Sequence, residues 1–410
     1  MNFDQKLKKY AELTVRTGAN VQLGQELILQ CSVENAAFGR MVAESAYEAG
    51  AKVVWMAWND DRTARLNYDY SPLEVFENPP EFVTGRYNYC AKVNGALINI
   101  LSRDPEIFKG VESAKLLAAT KAQHEATKEF DAAMDRNELQ WNIVAVPSVS
   151  WARKVFPGLP DEEAVEKLWE AIFKAVRLDE EDPVAAWQTH SRTLSDKAAF
   201  LNEQQFESLH YTNSIGTDFT VGLVKGHIWA GGSGKSASGV EYFPNMPTEE
   251  VFTMPHLSQA EGRVVSSMPL SYQGTLIRDF SLTFKEGKVT DFTAKEGREA
   301  LELLLNTDEG SRHLGEVALV PHHSPISDMG ILFYNTLFDE NASCHLALGA
   351  CYPDTLQGGT ELSKEELKQK GGNDSINHVD FMVGTADLKI TGKRSDGSEV
   401  VVFENGNWAV

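Results

Sequence analysis

The sequence predicts an α/β protein in two parts: an N-terminal doubly wound α/β domain followed by a mixed-sheet domain of α+β character. Three observations predict it. Strand runs alternate with helical runs through the first half, short alternating strands take over after about residue 210, and 410 residues exceed what one ordinary core organises. The composition, 42% hydrophobic and 24% charged, belongs to a folded chain rather than a disordered one.

Residues 1–18 read as an amphipathic helix and lack the apolar core of a signal peptide. Glu26–Cys31 reads as a strand, Asn35–Ala49 as a helix closing at Gly50, and Lys52–Trp58 as the next strand. This is a βαβ unit, whose helical crossover implies parallel strands. Gly95–Leu101 and Gln140–Val146 repeat the strand signal, with one long helix over Ser113–Arg136 between them. Pro160 and three following acids open a helix, since proline suits the first turn and carboxylates complement the dipole. Its apolar face is Val165, Leu168, Trp169, Ile172 and Phe173. A further helix over Pro183–Leu209 leads to the boundary, which divides the chain into 1–195 and 196–410. Beyond it come strands over Asp218–Val224, Arg263–Met268, Gly274–Phe284 and Lys288–Thr293, a helix over Arg298–Leu305, and a strand over Asn377–Val383. A terminal hairpin pairs Leu388–Thr391 with Val400–Phe403.

The charge balance narrows the partners. With 59 acidic against 38 basic residues the net charge is -21, which argues against nucleic acid and anionic membrane surfaces. It suits cationic ligands such as peptides with a free N-terminus, although solubility alone accounts for it. No apolar run is long enough to span a bilayer. Four cysteines without a CxxC pair read as free thiols in a reducing compartment, the cytoplasm.

Several tempting motifs fail. Gly231–Ser236 lacks the first glycine of a P-loop, since Trp229 stands there, and reads as a turn or substrate-facing loop. No GxGxxG follows the first strand, so the βαβ unit implies no dinucleotide. His124-Glu125 is not continued to HExxH, because position 128 is Lys. His322-His323 would point to opposite faces of an extended chain.

Carboxylates and imidazoles gather in the C-terminal half. On a strand, His378 and Asp380 share one face while Val379, Phe381 and Val383 share the other. His345 opens an apolar segment just after Asp339 and Glu340, and its neighbour Cys344 faces the core. Glu250 and Glu316 sit in apolar, strand-like settings where a buried acid needs a cation. Taken singly, each has an ordinary explanation: a solvated face, a core histidine, an exposed strand-end acid. Together they are the donor mixture of a co-catalytic pair of zinc, cobalt or manganese ions, which a bridging carboxylate holds roughly 3.5–4 Å apart.

The segments NMPTEEVF (245–252), Gly315-Glu316, NTLFDENASCHLALG (335–349) and NHVDFM (377–382) closely resemble the thermophilic metallo-aminopeptidase family. The likeness spans essentially the whole chain, including GTDFTVGL (216–223) and WAGG (229–232). The resemblance implies a two-domain homodimer around an enclosed cavity. It implies two divalent ions per chain, held by Glu250, Glu316, His345, His378 and Asp380, with Glu340 in the same motif. It further implies that Tyr352 stabilises the oxyanion and that Glu316 serves as general base. One departure is Cys351, where the family often has alanine; it alters the lip of the pocket and leaves the ligands untouched.

The expected activity is removal of the N-terminal residue from peptides by a two-metal-activated water. Two other readings use the same donors: a two-metal phosphoesterase, against which stands the lack of an Arg or Lys cluster near the ligand motifs, and a non-catalytic metal-dependent binding protein. Leucine p-nitroanilide set against p-nitrophenyl phosphate separates the first two. Metal bound without peptide hydrolysis would mark the third.

Overall fold

The computed structural model describes residues 2–410. The fold is the expected mixture of a parallel sheet with helices and antiparallel sheets. The chain divides into two compact units, one running to Ser191 and including Ser233–Thr248, the other comprising Arg192–Gly232 and Glu249–Val410.

The first unit is built on a four-stranded parallel sheet of β1 (Glu26–Ser32), β2 (Val53–Asn59), β3 (Ala96–Leu101) and β4 (Gln140–Ala145), in the order β2-β1-β3-β4. All three pairings are parallel, for example Glu26 with Val53, Leu27 with Ala96, and Ala96 with Gln140. The central strand β1 is buried along nearly its whole length, as a sheet covered on both faces requires. Helix Asp161–Ala175 buries Leu168, Trp169, Ile172 and Phe173 as its spacing predicts. Trp187 is fully buried, and its indole N–H donates to the Val176 carbonyl at 2.9 Å.

One expectation for this unit changes. The helix expected over Ser113–Arg136 is two helices, Ser113–Ala126 and Lys128–Asp135. The break falls at Thr127, whose hydroxyl bonds back to the Gln123 carbonyl at 2.9 Å and competes with the helical ladder. Between β2 and β3 lie three short helices, Asp61–Tyr70, Leu73–Glu77 and Glu81–Lys92, punctuated by Pro72 and Pro80. The segment after the glycine-rich turn returns to the first unit. Asn142 donates to the Phe243 carbonyl and the Ile143 N–H to the Pro244 carbonyl, each at 2.7 Å.

The second unit carries two large antiparallel sheets and a two-stranded one, Leu270–Tyr272 with Thr275–Ile277. The larger has eight strands, among them Ser208–Thr212, Asp218–Leu223, Pro255–Val265, Ser281–Lys285 and Lys288–Thr293, and it ends in the C-terminal hairpin Lys389–Lys393 with Glu399–Glu404. The smaller contains β5 (Ala230–Gly231), β6 (Val251–Thr253), β7 (Leu314–Leu319), β8 (His345–Gly349) and β9 (His378–Met382), in the order β9-β8-β7-β6-β5. One apolar core joins them, with Phe219, Phe284, Ile390 and Phe403 from the large sheet and Val317, Leu346, Leu348 and Phe381 from the small one. Helix Arg298–Leu305 lies where expected and adds Leu301, Leu304 and Leu305.

The sequence misplaces some boundaries here. The helix from Pro183 ends at Gln204, because Gln205 turns left-handed (φ 44°), and Leu209 belongs to a strand. The strand expected at Arg263–Met268 runs over Pro255–Val265. Gly274–Phe284 is interrupted at Asp279, also left-handed at φ 47°. Among the described residues, no helix is long and apolar enough to cross a membrane.

Candidate metal centre

The small sheet has two chemically opposite faces. Val251, Val317, Leu319, Leu346, Leu348 and Phe381 point into the core. Alternation sends their neighbours to the other face. There Phe252, Ala318, His345 and Met382 form one cross-strand row, Glu316, Ala347 and Asp380 the next, and Gly349 and His378 a third. Glu250 lies two residues before Phe252. The middle strand β8 gives this face only Ala347 and Gly349 beyond its histidine, which leaves room between the acids on either side.

A bulge aims Glu316. In a regular strand Leu314 and Glu316 would share a face, yet Leu314 pairs with Leu348 and Glu316 with Ala347. Gly315 is the extra residue. It leaves Leu314 in the core and turns the carboxylate outward, as a one-residue bulge does. Only glycine fits, because a Cβ here would meet the Ala350 carbonyl oxygen at 2.0 Å.

The side chains converge in two groups that share Glu316: Glu250, Glu316 and His345, and Glu316, His378 and Asp380, each with donor atoms within 4.8 Å of one another. His345 Nε2 lies 3.0 Å from Glu250 Oε2 and 3.3 Å from Glu316 Oε1. His378 Nε2 lies 3.6 Å from Glu316 Oε2 and 3.4 Å from Asp380 Oδ1. The two oxygens of Glu316 therefore face different imidazoles. Each imidazole is oriented from behind: His345 Nδ1 sits 3.0 Å from the Ser343 carbonyl and His378 Nδ1 2.8 Å from that of Ala350. A carbonyl that accepts the Nδ1–H hydrogen bond leaves the Nε2 lone pair to face inward, the usual arrangement behind a metal-binding histidine.

Glu340 is buried nearby on the turn Glu340–Ala342, outside both tight groups. Tyr352 leaves the end of β8 and packs its ring 4.5 Å from that of His378 and 5.9 Å from that of Phe252. It is 42% exposed, while Glu250, Glu316, His345 and Asp380 are all buried.

The electrostatics are those of too many acids in one dry place. Burial pushes Glu316 up to about 6 despite its histidine partners. Burial, then the fields of Asp380 and Glu250, hold Glu340 well above the usual carboxylate range. Burial alone would keep the histidines neutral, but the surrounding carboxylates overcome it, raising His378 to about 9 and His345 well above its usual value. Asp380 moves the other way, since the neighbouring His378 outweighs its burial. Desolvation of its phenol end, then the fields of Glu316 and Asp380, raise Tyr352 well above its usual value although the residue as a whole is 42% exposed.

The donors fit divalent cations. Four carboxylates and two imidazoles without a thiolate suit zinc, cobalt or manganese. Asp380 Oδ1 is buried with only the His378 contact at 3.4 Å and no well-formed hydrogen bond, an acceptor left for a cation. Cys344 stays out of the cluster: its thiol lies in the core against the Val320 backbone, and burial pushes it up to about 12. The sequence quoted Asp339 and Asn341 without giving them a role. Asp339 is buried, and its carboxylate accepts from the Phe333 and Asn335 N–H groups at 2.8 and 3.0 Å, fixing the loop before Glu340. Asn341 is buried and fully hydrogen-bonded. No side-chain spacing announces either.

Comparison with known proteins accounts for this combination of fold and donors. The profile of the thermophilic metalloprotease (M29) family matches residues 3–408. The chain belongs to this family. Among similar M29 proteins, aminopeptidase 2 of Geobacillus stearothermophilus is 46% identical over 407 residues, covering 99% of this chain and 98% of the relative. Aminopeptidase AmpS of Bacillus subtilis (strain 168) is also 46% identical, over 100% of this chain and 99% of its own. The solved structure of wild-type AmpT from Thermus thermophilus superposes with a TM-score of 0.92 at 40% identity, covering all of both chains. An M29 metalloprotease requires divalent metal, and the shared-carboxylate cluster is the place in this chain where donors for it converge.

Proposed function

We propose that the chain is a two-metal aminopeptidase that removes the N-terminal residue from peptides. One observation carries the reading: Glu316 turns one oxygen to His345 and the other to His378, so two donor groups share one carboxylate. Its relatives' names as aminopeptidases support the same reaction. In this reading Glu250, Glu316 and His345, completed by Glu340, hold one divalent ion, and Glu316, His378 and Asp380 hold the other. Bound there, a pair of zinc, cobalt or manganese ions supplies Lewis acidity, a nucleophilic water at neutral pH and an anchor for the substrate's free amine.

The chain's own groups do the rest. Tyr352, protonated and at the exposed edge of the cluster, donates a hydrogen bond to the oxygen that gains charge as the peptide carbonyl is attacked. Glu316 is the proposed general base, and taking the proton requires one of its oxygens to turn from its imidazole. A chain of net charge -21 favours the approach of the ammonium end of a peptide. Arginyl and aromatic N-termini are the first substrates to try. A homodimer in the cytoplasm is part of the same proposal, and light scattering tests the assembly.

The deciding experiment follows aminoacyl p-nitroanilides after chelation and metal return. Chelation should abolish hydrolysis and Co²⁺, Zn²⁺ or Mn²⁺ should restore it. An enzyme fully reloaded with metal that turns over no arylamide would sink the proposal, and turnover of p-nitrophenyl phosphate instead would favour a phosphoesterase.

A further inference from the structure

Asn341 joins two of the acids through one buried amide. Its side chain is inaccessible to solvent, and both ends of the amide are engaged. Oδ1 accepts the Glu249 N–H at 2.7 Å, a bond between residues 92 apart in sequence. Nδ2 donates to the Leu337 carbonyl at 2.9 Å and to Glu340 Oε1 at 3.3 Å. The Asn341 carbonyl accepts from the Ser324 hydroxyl at 3.4 Å. Glu249 is the residue before Glu250, so the amide grips the backbone that aims one carboxylate and touches the other carboxylate directly.

Only an amide does this. The site needs an acceptor toward a peptide N–H and donors toward a carbonyl and a carboxylate, all from one short planar group. A carboxylate would face the Leu337 carbonyl and Glu340 acceptor to acceptor, and an apolar side chain would orphan the buried Glu249 N–H and Glu340 oxygen. Neither Asp380 nor His378 is touched by Asn341 in these bonds; their strand is held elsewhere, through Asn377 and the Ala350 carbonyl.

We propose that Asn341 is a positioning residue that sets the spacing of Glu250 and Glu340, and through them the affinity of the ion held with Glu316 and His345. The ion held by Glu316, His378 and Asp380 depends on it far less. The inference rests on the two-metal reading above.

The test is calorimetric titration of chelator-treated, full-length protein with Zn²⁺, comparing wild type with Asn341→Asp and Asn341→Ala. Wild type should bind two ions. Asn341→Asp, nearly isosteric and still able to accept from Glu249, should weaken one ion by about 10–100-fold, the usual cost of losing a group that orients a ligand. The other ion should keep its affinity. In a Glu340→Ala background, adding Asn341→Asp should cost less for the weakened ion than it does alone, because the Asn341–Glu340 contact is already gone while the Glu249 bond remains. Activity of Asn341→Asp should recover as Co²⁺ is raised, which a loss through misfolding would not do. Should Asn341→Ala fail to fold, the aspartate variant still decides. Two ions bound with unchanged affinity, or both weakened equally, overturns the proposal. A wild type that binds fewer than two ions overturns the two-metal reading itself.

Discussion

At the scale of single residues, the proposed site divides into groups that would hold metal and groups that would act on substrate. Glu316→Ala and His378→Ala should each abolish arylamide hydrolysis while circular dichroism remains that of the folded chain; unchanged rates in both would refute the site. Tyr352→Phe should lower kcat by about 10²–10³-fold, the cost of removing one oxyanion donor, with bound metal unchanged. Outside the cluster, His190 gives a pH signature of its own. Burial, then the nearby Arg177, pushes it down to about 4, and its Nε2 lies 2.7 Å from the Thr248 carbonyl. A histidine held neutral binds fewer protons folded than unfolded, so its contribution is fully present above about pH 6.5 and is lost as pH falls toward 4. Urea midpoints at pH 7 and pH 5 should differ, and His190→Gln should flatten that difference. Residue identity was partly legible. Strand period paired His378 with Asp380, and family motifs singled out Glu250, Glu316 and His345. Asn341 was not legible, because a buried bridging amide looks like any other asparagine until its three partners are placed around it.

Elements explain why these residues meet. The alternation of His378–Phe381 reads directly from the sequence because β9 is regular. The alternation of LGEVAL does not, because the bulge at Gly315 breaks the period of two on which such a reading depends. Gly315→Ala puts a methyl group 2.0 Å from the Ala350 oxygen and 2.4 Å from that of Gly349, contacts that only backbone movement relieves. It should cost about 1–3 kcal/mol or more by urea unfolding and reduce bound metal. Ala347→Leu tests the same face without touching a ligand. Ala347 stands between Glu316 and Asp380 in one row, so a larger side chain should part them and deplete the shared centre, read as metal content below that of wild type. An unaltered two-ion stoichiometry in both variants would show that the face tolerates what its geometry forbids.

Over the whole molecule, the fold class followed from texture: parallel βα units first, short antiparallel strands later. The return of Ser233–Thr248 to the first unit did not, because it rests on backbone bonds such as Ile143 to Pro244 rather than on local pattern. The centre lies wholly within the second unit, where four buried acids strain a cation-free chain. Divalent metal should therefore raise the thermal midpoint of the chelated protein, by about 2.7 kcal/mol of stability for each ion held when free ion exceeds its Kd about 100-fold. Scanning calorimetry with and without Zn²⁺ checks this, and equal midpoints would contradict it.

The bulged, two-faced small sheet has one consequence for how the chain reaches its native state. The same strands supply core on one side and ligands on the other, and their side chains alternate. Pairing β8 one residue out of step would turn Leu346 and Leu348 toward the acids and His345 toward the apolar interior. Such a mispaired chain has no place for a cation. In the proposed site, metal present during folding would thus reward one pairing and none of its neighbours, so that an ion would proofread strand alignment before taking part in any reaction.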